Sequence, residues 1–425
     1  MGKVKIFLSY HKDTPLYKSD VFQPIQVGKS ISNVDLGILG DDVGENISSL
    51  NPYYCELTAY YYVLKNYIDN CDEEYIGFGH YRRLIDLTNI SEVSIPAIYG
   101  LNYSNSKKVF ESFSDYDLYE CCKSFDIILP CKAYMYNDTV NPILRTTEPS
   151  LNMYEQFKAE HKNDSLDLLK KFILENYPDF INAVDVCYSS NMAHFYNIYV
   201  MKKSILKEFL DWEFNVLDLL GKSIGGWQQD CYRRMAGFVG ERLINIWLEA
   251  HKDRNYKLGY VPIYMIDFES EYIERANTFD FIKRYDLEQR ELEALYKITS
   301  NKINVAFALL NLLFKRGLLE DAKSFIDKCM ELCSIADDYN NLAQICMPYK
   351  NIFNDKILEL FKKSITLDKS NKLYAQNYLV YCSNTKNLDL IFQAWEIFIQ
   401  YDLTESEKEQ YNQFMNCYKL AKGLN

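Results

Sequence analysis

Three short stretches of the 425-residue chain carry side chains able to do chemistry. The densest is Gly77-Phe78-Gly79-His80-Tyr81-Arg82-Arg83, within an apolar run that predicts a strand over 75–87. Its two glycines permit close approach of neighbouring backbone. Strand alternation predicts His80 and Arg82 on one face, with Tyr81 and Arg83 on the other. Two guanidinium groups and an imidazole at a strand end suit bidentate binding of a diphosphate. The plainer alternative is that one Arg pairs with Asp86 or another core acid.

The second stretch follows the break at Gly225-Gly226, where a long helix is predicted over 227–250. Asp230, Arg234, Gly237 and Glu241 fall at i, i+4, i+7 and i+11, one polar stripe of that helix. Asp230 and Glu241 would lie about 16 Å apart at 1.5 Å per residue, too far to serve one reacting carbon. Asp230, at the helix mouth beside Trp227, is the better candidate for a catalytic base. Glu241 reads as an anchor for a buried Arg or a loop. The third stretch, residues 40–48, is a polar loop offering Asp41, Asp42 and Asn46, with a plain solvated turn as the alternative. Glu56 and Tyr60 share a face of the next helix and extend the same site. Ser9, Tyr10 and His11 close the first apolar run, and His194 and Asn197 open a later one. A lone His in His194's position is more often structural.

The elements around these residues alternate. Apolar runs predict strands over 3–9, 75–87, 125–130, 195–202 and 260–266. Helical spacing or caps predict helices from Asn51-Pro52, around 117–124, and over 165–177 and 204–220, while 91–115 reads as a loop or insertion. This β-α-β-α-β order predicts an α/β domain with a parallel, doubly wound sheet, whose ligands collect at the carboxyl ends of strands. Beyond about residue 280 only helical spacing remains. Residues 306–332 and 374–400 both read as helix, short turn, helix, in the manner of tetratricopeptide repeats. The chain is therefore divided into an α/β domain over 1–279 and an all-α domain over 280–425.

Composition narrows the function class. With 47 Lys and Arg against 59 Asp and Glu, the net charge of −12 lacks the basic footprint of a general nucleic-acid binder. Twelve Cys without a C-x-x-C pair give no zinc or redox motif and read as reduced thiols, which places the protein in the cytoplasm. The N-terminus lacks a signal-peptide pattern, and no run of about 20 apolar residues predicts a membrane span.

Taken together, these segments resemble a family first catalogued as a domain of unknown function. It carries an H-Y-R-R-Y signature and is found in bacterial capsule and O-antigen gene clusters as a glycosyltransferase. The matching residues are Lys5–Asp13, Gln26–Gly28, Gly44–Ser48, Asn51–Ala59, Tyr75–Arg83, Asn197–Met201 and Gly237–Leu243. The resemblance covers roughly residues 3–265 and leaves out the helical tail. It implies a GT-A-like nucleotide-sugar-binding fold, with some members resembling galactofuranosyltransferases.

The resemblance implies transfer of a sugar from a UDP-linked donor to a saccharide or lipid-linked acceptor, with inversion, in surface polysaccharide synthesis. Asp230 would be the base. Ser9, Tyr10, His11, His80, Arg82, Arg83, Asn46 and Glu56 would bind the donor, and Asp41, Asp42, His194, Asn197 and Glu241 are further candidates. Many GT-A enzymes use Mg²⁺ or Mn²⁺ on a D-x-D motif. Here Asp115-Tyr116-Asp117 matches literally but precedes a helix, so no metal residue is assigned. The competing class is a non-catalytic nucleotide-binding scaffold. The helical tail would dock a protein partner or a second copy, and the whole would sit in the cytoplasm, peripheral at the inner membrane face.

Overall fold

The computed structural model describes residues 3–95, 98–135, 151–161 and 163–423; the side chain of Asp115 lies outside the described residues. The chain divides into two compact units, Met1–Glu271 and Tyr272–Asn425, where the sequence reading placed the division near 280.

In the first unit the strands are β1 (Val4–Tyr10), β2 (Phe22–Gln26), β3 (Leu39–Gly40), β4 (Tyr75–His80), β5 (Arg83–Ile85) and β6 (Ile98–Asn102). They continue with β7 (Ile127–Pro130), β8 (Ala133–Tyr134), β9 (Met192–Ala193), β10 (Tyr199–Lys202), β11 (Leu258–Val261) and β12 (Ile263–Asp267). Among the described residues ten of these form one sheet, whose main path runs β11-β7-β10-β4-β1-β2-β3. Pairing is parallel from β4 through β1 and β2 to β3, and again between β7 and β11. The sheet is mixed rather than wholly parallel, because β10 runs antiparallel to both β4 and β7. The central strands read as unbroken apolar runs because both faces are covered: every residue of β4 is buried. Gly77 is required by this packing. A Cβ there would stand 2.6 Å from the Tyr199 carbonyl oxygen on β10.

Three sequence expectations are corrected. The predicted strand over 75–87 is a hairpin: β4 ends at His80, the chain turns through Tyr81-Arg82, and Arg83 returns on β5 directly opposite His80. Alternation along one strand therefore does not apply to Arg82. Residues 91–115 are not simply a loop, since β6 leads into a helix over Tyr103–Ser112, capped by Asn102. The helix expected over 227–250 begins only at Met235. Asp230–Tyr232 is a separate 3-10 turn, and Arg234 stands between them with φ +65°, a left-handed backbone that no continuous helix contains. The stripe joining Asp230 to Glu241 does not exist.

The second unit is helical throughout its described residues from Tyr285–Ile298 to Glu405–Lys422. Residues 306–332 cover parts of two helices, Lys302–Lys315 and Leu319–Leu332, and 374–400 cover parts of Lys372–Ser383 and Leu388–Phe398. Each pair buries apolar side chains in a shared core that includes Leu310, Ile326, Tyr378 and Trp395. No helix among the described residues is long and apolar enough to cross a membrane.

Candidate functional site

From β1 the chain passes to β2 and β3 on one side, while β4 lies on the other side of β1. The carboxyl ends of β1 and β4 thus frame a topological switch point, where open α/β sheets bind ligands. Ser9 and His80 are register partners there. Ser9 is buried, and its Oγ has no hydrogen-bond partner. A buried hydroxyl left unpaired is costly unless a ligand completes it.

The walls are held by a strained turn at Tyr196-Asn197, with φ +78° and +51°. Left-handed backbone is unfavourable for a residue such as Tyr and is kept only where surroundings over-determine it. Here they do. His80 Nε2–H donates to the Tyr196 carbonyl at 2.6 Å, and the Tyr196 N–H donates to Glu241 Oε1 at 2.6 Å. Asn197 Nδ2 donates to Glu56 Oε1 at 2.7 Å and to the Gly237 carbonyl at 3.3 Å, while Tyr60 Oη–H donates to the Asn197 carbonyl. One turn therefore joins β4, the helix Leu57–Tyr62 preceded by Glu56, and the helix Met235–Ala250. Glu241 also pairs with Arg242, which is 1% exposed, donates to Gln156 Oε1 at 2.8 Å, and lies 5.2 Å from the ring centres of Phe157 and Phe195. Charge buried to that degree needs such pairing. Glu241 serves the scaffold.

The cations that remain form no ion pair among the described residues, although Glu56 lies within electrostatic range of two of them. Arg83 lies 4.5 Å over the Tyr196 ring, its Nε buried without a partner. Burial first, and Arg82's charge next, lower its pKa. Arg82 is exposed on the hairpin turn, 6.0 Å from the Tyr81 ring. Arg234 stands 5.0 Å over Phe238, and its left-handed backbone is fixed by an N–H bond to the Pro52 carbonyl at 2.9 Å. Among the described residues none of these three arginines forms an ion pair. Both Arg83 and Arg234 act electrostatically on Glu56, whose carboxyl is nevertheless pushed up by burial. His11 stands edge-on to the Tyr81 ring, with 5.3 Å between ring centres. Loss of solvent around its ring, then the charges of Lys12, Arg82 and Arg234, push it down to about 4.

Other candidates fall elsewhere. His80 is 8% exposed, and burial followed by Arg83's charge pushes its pKa down to about 3, so it adds no positive charge to the site. Tyr10 Oη is occupied, accepting from Tyr17 N–H at 3.0 Å and donating to the Pro15 carbonyl at 3.4 Å. Asp41 is fully buried and accepts from the N–H groups of Gly28 and Lys29, at 2.7 and 3.1 Å, and from Ser48 Oγ. It folds the 28–48 loop. Asn46 is exposed and bonds back to the Asp42 and Gly44 carbonyls. The Asp42 side chain is half-buried against that loop. Asp230 is exposed on its 3-10 turn and makes no side-chain hydrogen bond or ion pair among the described residues. His194 lines a separate cavity. Asp117 is spent as a helix cap, accepting from the N–H groups of Tyr119 and Glu120. Among the described residues no three His, Cys, Asp or Glu side chains gather to hold a metal ion. The sequence reading missed Tyr196 and did not choose Arg234 as a ligand. The only signal for the latter was the Arg233-Arg234 pair beside a broken helix.

Two rings give a pH test. His80 and His194 are held neutral by burial, to about 3 and about 4, against 6.5 when free. Below about pH 6.5 the unfolded chain binds protons that these folded rings refuse, so stability falls with pH through that window, by on the order of 1.4 kcal/mol per pH unit per ring. Urea midpoints should therefore be lower at pH 5 than at pH 7.5. The buried Glu56 and Glu213 carboxyls, raised by burial, act in the opposite sense, so the ring C2–H shifts by NMR decide it: shifts that titrate between pH 7.5 and 5 would mean the rings are not held neutral.

Among solved structures, the apo structure of the WbbM bifunctional glycosyltransferase is similar to this chain, at 27% identity and a TM-score of 0.53. The match covers 63% of this chain and 46% of that one, so the chain spans less than half of that relative. The MamA crystal structure is matched at 18% identity over 37% of this chain and 83% of that one, with a TM-score of 0.27. No curated protein matches. The H-Y-R-R-Y signature is incomplete here, since position 84 is Leu. Residues 5–253, more than half of the chain, match the model of a domain of unknown function, DUF4422, and the chain belongs to that family.

Proposed function

We propose that this chain is a glycosyltransferase moving a sugar from a nucleoside diphosphate donor, UDP-linked, to a saccharide acceptor. The observation that carries the reading is the set of three arginines that form no ion pair among the described residues, gathered with the orphaned Ser9 hydroxyl around the carboxyl ends of β1 and β4. A diphosphate supplies the missing negative charge, and guanidinium groups stabilise it as it departs. Likeness to a bifunctional glycosyltransferase supports the same class. Glu56 shares the electrostatics of Arg83 and Arg234, and one of its oxygens is held by Asn197. A carboxylate with a raised pKa is a competent base toward an acceptor hydroxyl. Attack on the face opposite the leaving diphosphate inverts the anomeric carbon. Asp230 is the second candidate for the base, from the rim. Galactofuranose as the sugar, a GT-A-like fold, and a capsule or O-antigen acceptor at the inner membrane face follow the family resemblance.

The test is incubation with a panel of nucleotide sugars, with and without acceptor saccharide and EDTA. Acceptor-dependent release of UDP supports transfer, and the EDTA arm reports metal dependence. UDP binding without turnover would favour the scaffold, and hydrolysis without acceptor a nucleotide-sugar hydrolase.

In this proposal the helical unit, tetratricopeptide-like in its paired helices, docks a protein partner or a second copy rather than doing chemistry. A chain ending at Glu271 should keep UDP affinity and lose self-association or partner capture, read by calorimetry and light scattering. A folded truncation that loses UDP binding would place the tail in the site.

A further inference from the structure

A cavity of about 350 Å³ lies between β11, the helix Ile181–Ser189 and the C-terminal half of the helix Met235–Ala250. Its volume is in the range of small-molecule sites, about 300–1,000 Å³. It shares no lining residue with the arginine cluster. His194, 3% exposed, lines it and is fixed on every side. Its main-chain N–H and C=O are both bonded to the Asn245 amide at 2.9 Å, and its ring stacks on Tyr260 at 5.8 Å and 8°. Its Nδ1 lies 2.7 Å from the Pro130 carbonyl. A carbonyl only accepts, so Nδ1 carries the proton. Burial keeps the ring neutral. Nε2 therefore carries a lone pair that meets no protein donor among the described residues, on a ring that lines the cavity. Such an atom asks for a ligand hydroxyl. Tyr256, backed by the Trp247 indole at 5.8 Å and 11°, adds an aromatic surface, and Lys132, without a carboxylate partner among the described residues, adds a donor. Hydroxyl acceptor, aromatic surface and amine together suit a sugar ring.

We propose that this cavity binds a saccharide, with a ring hydroxyl donating to His194 Nε2. Naming that saccharide as the acceptor chain rests on the transferase reading. The same Asn245 amide that clamps His194 also donates to the Glu241 carbonyl at 3.3 Å, which fixes it on its helix.

The test is ligand-observed saturation-transfer NMR on the full chain, with galactose and lactose as probes at millimolar concentration, and UDP binding measured in parallel. Saturation of the sugar protons is expected in the wild-type chain. His194→Asn keeps an amide donor within reach of Pro130 while removing the ring Nε2, and should weaken sugar binding about 3- to 10-fold. Tyr256→Leu, which leaves His194 intact, should weaken it similarly even if His194→Asn folds poorly. UDP affinity should be unchanged in both. Absence of saturation by either sugar in the wild-type chain, or undiminished sugar affinity in folded Tyr256→Leu, overturns the cavity site. Sugar binding that depends on His194 and Tyr256 in a chain that binds no UDP would overturn the transferase reading and leave the saccharide site standing.

Discussion

Arg83→Ala is expected to weaken UDP binding by about 10- to 100-fold, the loss of a charge-assisted contact worth roughly 1.5–3 kcal/mol. The guanidinium is stacked on Tyr196, has an unpaired buried Nε, and pairs with no carboxylate, so folding draws little from it. The unfolding midpoint should move far less than the affinity. Arg83→Lys should not restore binding, because an ammonium keeps the charge but neither the planar stack nor the bidentate fork. Arg82→Ala and Arg234→Ala should show smaller losses, since both side chains are exposed. Calorimetric titration with UDP decides it: equal affinity for wild type and Arg83→Ala would remove the diphosphate from this cleft.

Glu56→Gln should lower transfer by about 100-fold or more while leaving UDP affinity intact. The amide oxygen of Gln can still accept from Asn197, so the turn at 196–197 keeps its geometry and only the base is lost. Burial raises the Glu56 pKa, and a base works only when deprotonated. The acid limb of the wild-type rate profile should accordingly fall at higher pH than an ordinary carboxylate would give, and Glu56→Gln should lose that limb. Asp230→Asn is the matched comparison. If it abolishes turnover and Glu56→Gln does not, the base sits on the rim.

The strands and the cationic segment were legible because they depend on local pattern. Apolar runs too dense for one-sided burial announced β1, β4 and β7, and their spacing announced the parallel pair β1–β4 but not the antiparallel β10 between β4 and β7. What failed was geometry set by contacts distant in sequence. Nothing local says that the chain reverses after His80, because Tyr81-Arg82 carries neither Gly nor Pro nor Asn. The helix around Arg234 was over-extended because its helical spacing is real; the break comes from the Pro52 carbonyl capturing the Arg234 N–H. Asp41 looked like a free acid in a polar loop, yet it is consumed by backbone N–H groups 12 and 13 residues away. Burial, invisible in composition, also turned His80 from an expected cation into a neutral prop. Glu56 and Asn197 were both chosen as candidates, but their direct bond joins residues 141 positions apart.

The reversed strand has a consequence for how the protein is made. β4 pairs on one side with β1, which precedes it, and on the other with β10, which ends at Lys202. On a ribosome, roughly 120 further residues must emerge before that second side is covered, about 6 to 24 s at ordinary elongation rates. Until then an apolar strand presents open N–H and C=O groups, a template for pairing with another nascent chain. Newly synthesised protein is thus most vulnerable between two definite chain lengths, and slower translation upstream of residue 202 should raise the fraction lost to aggregates.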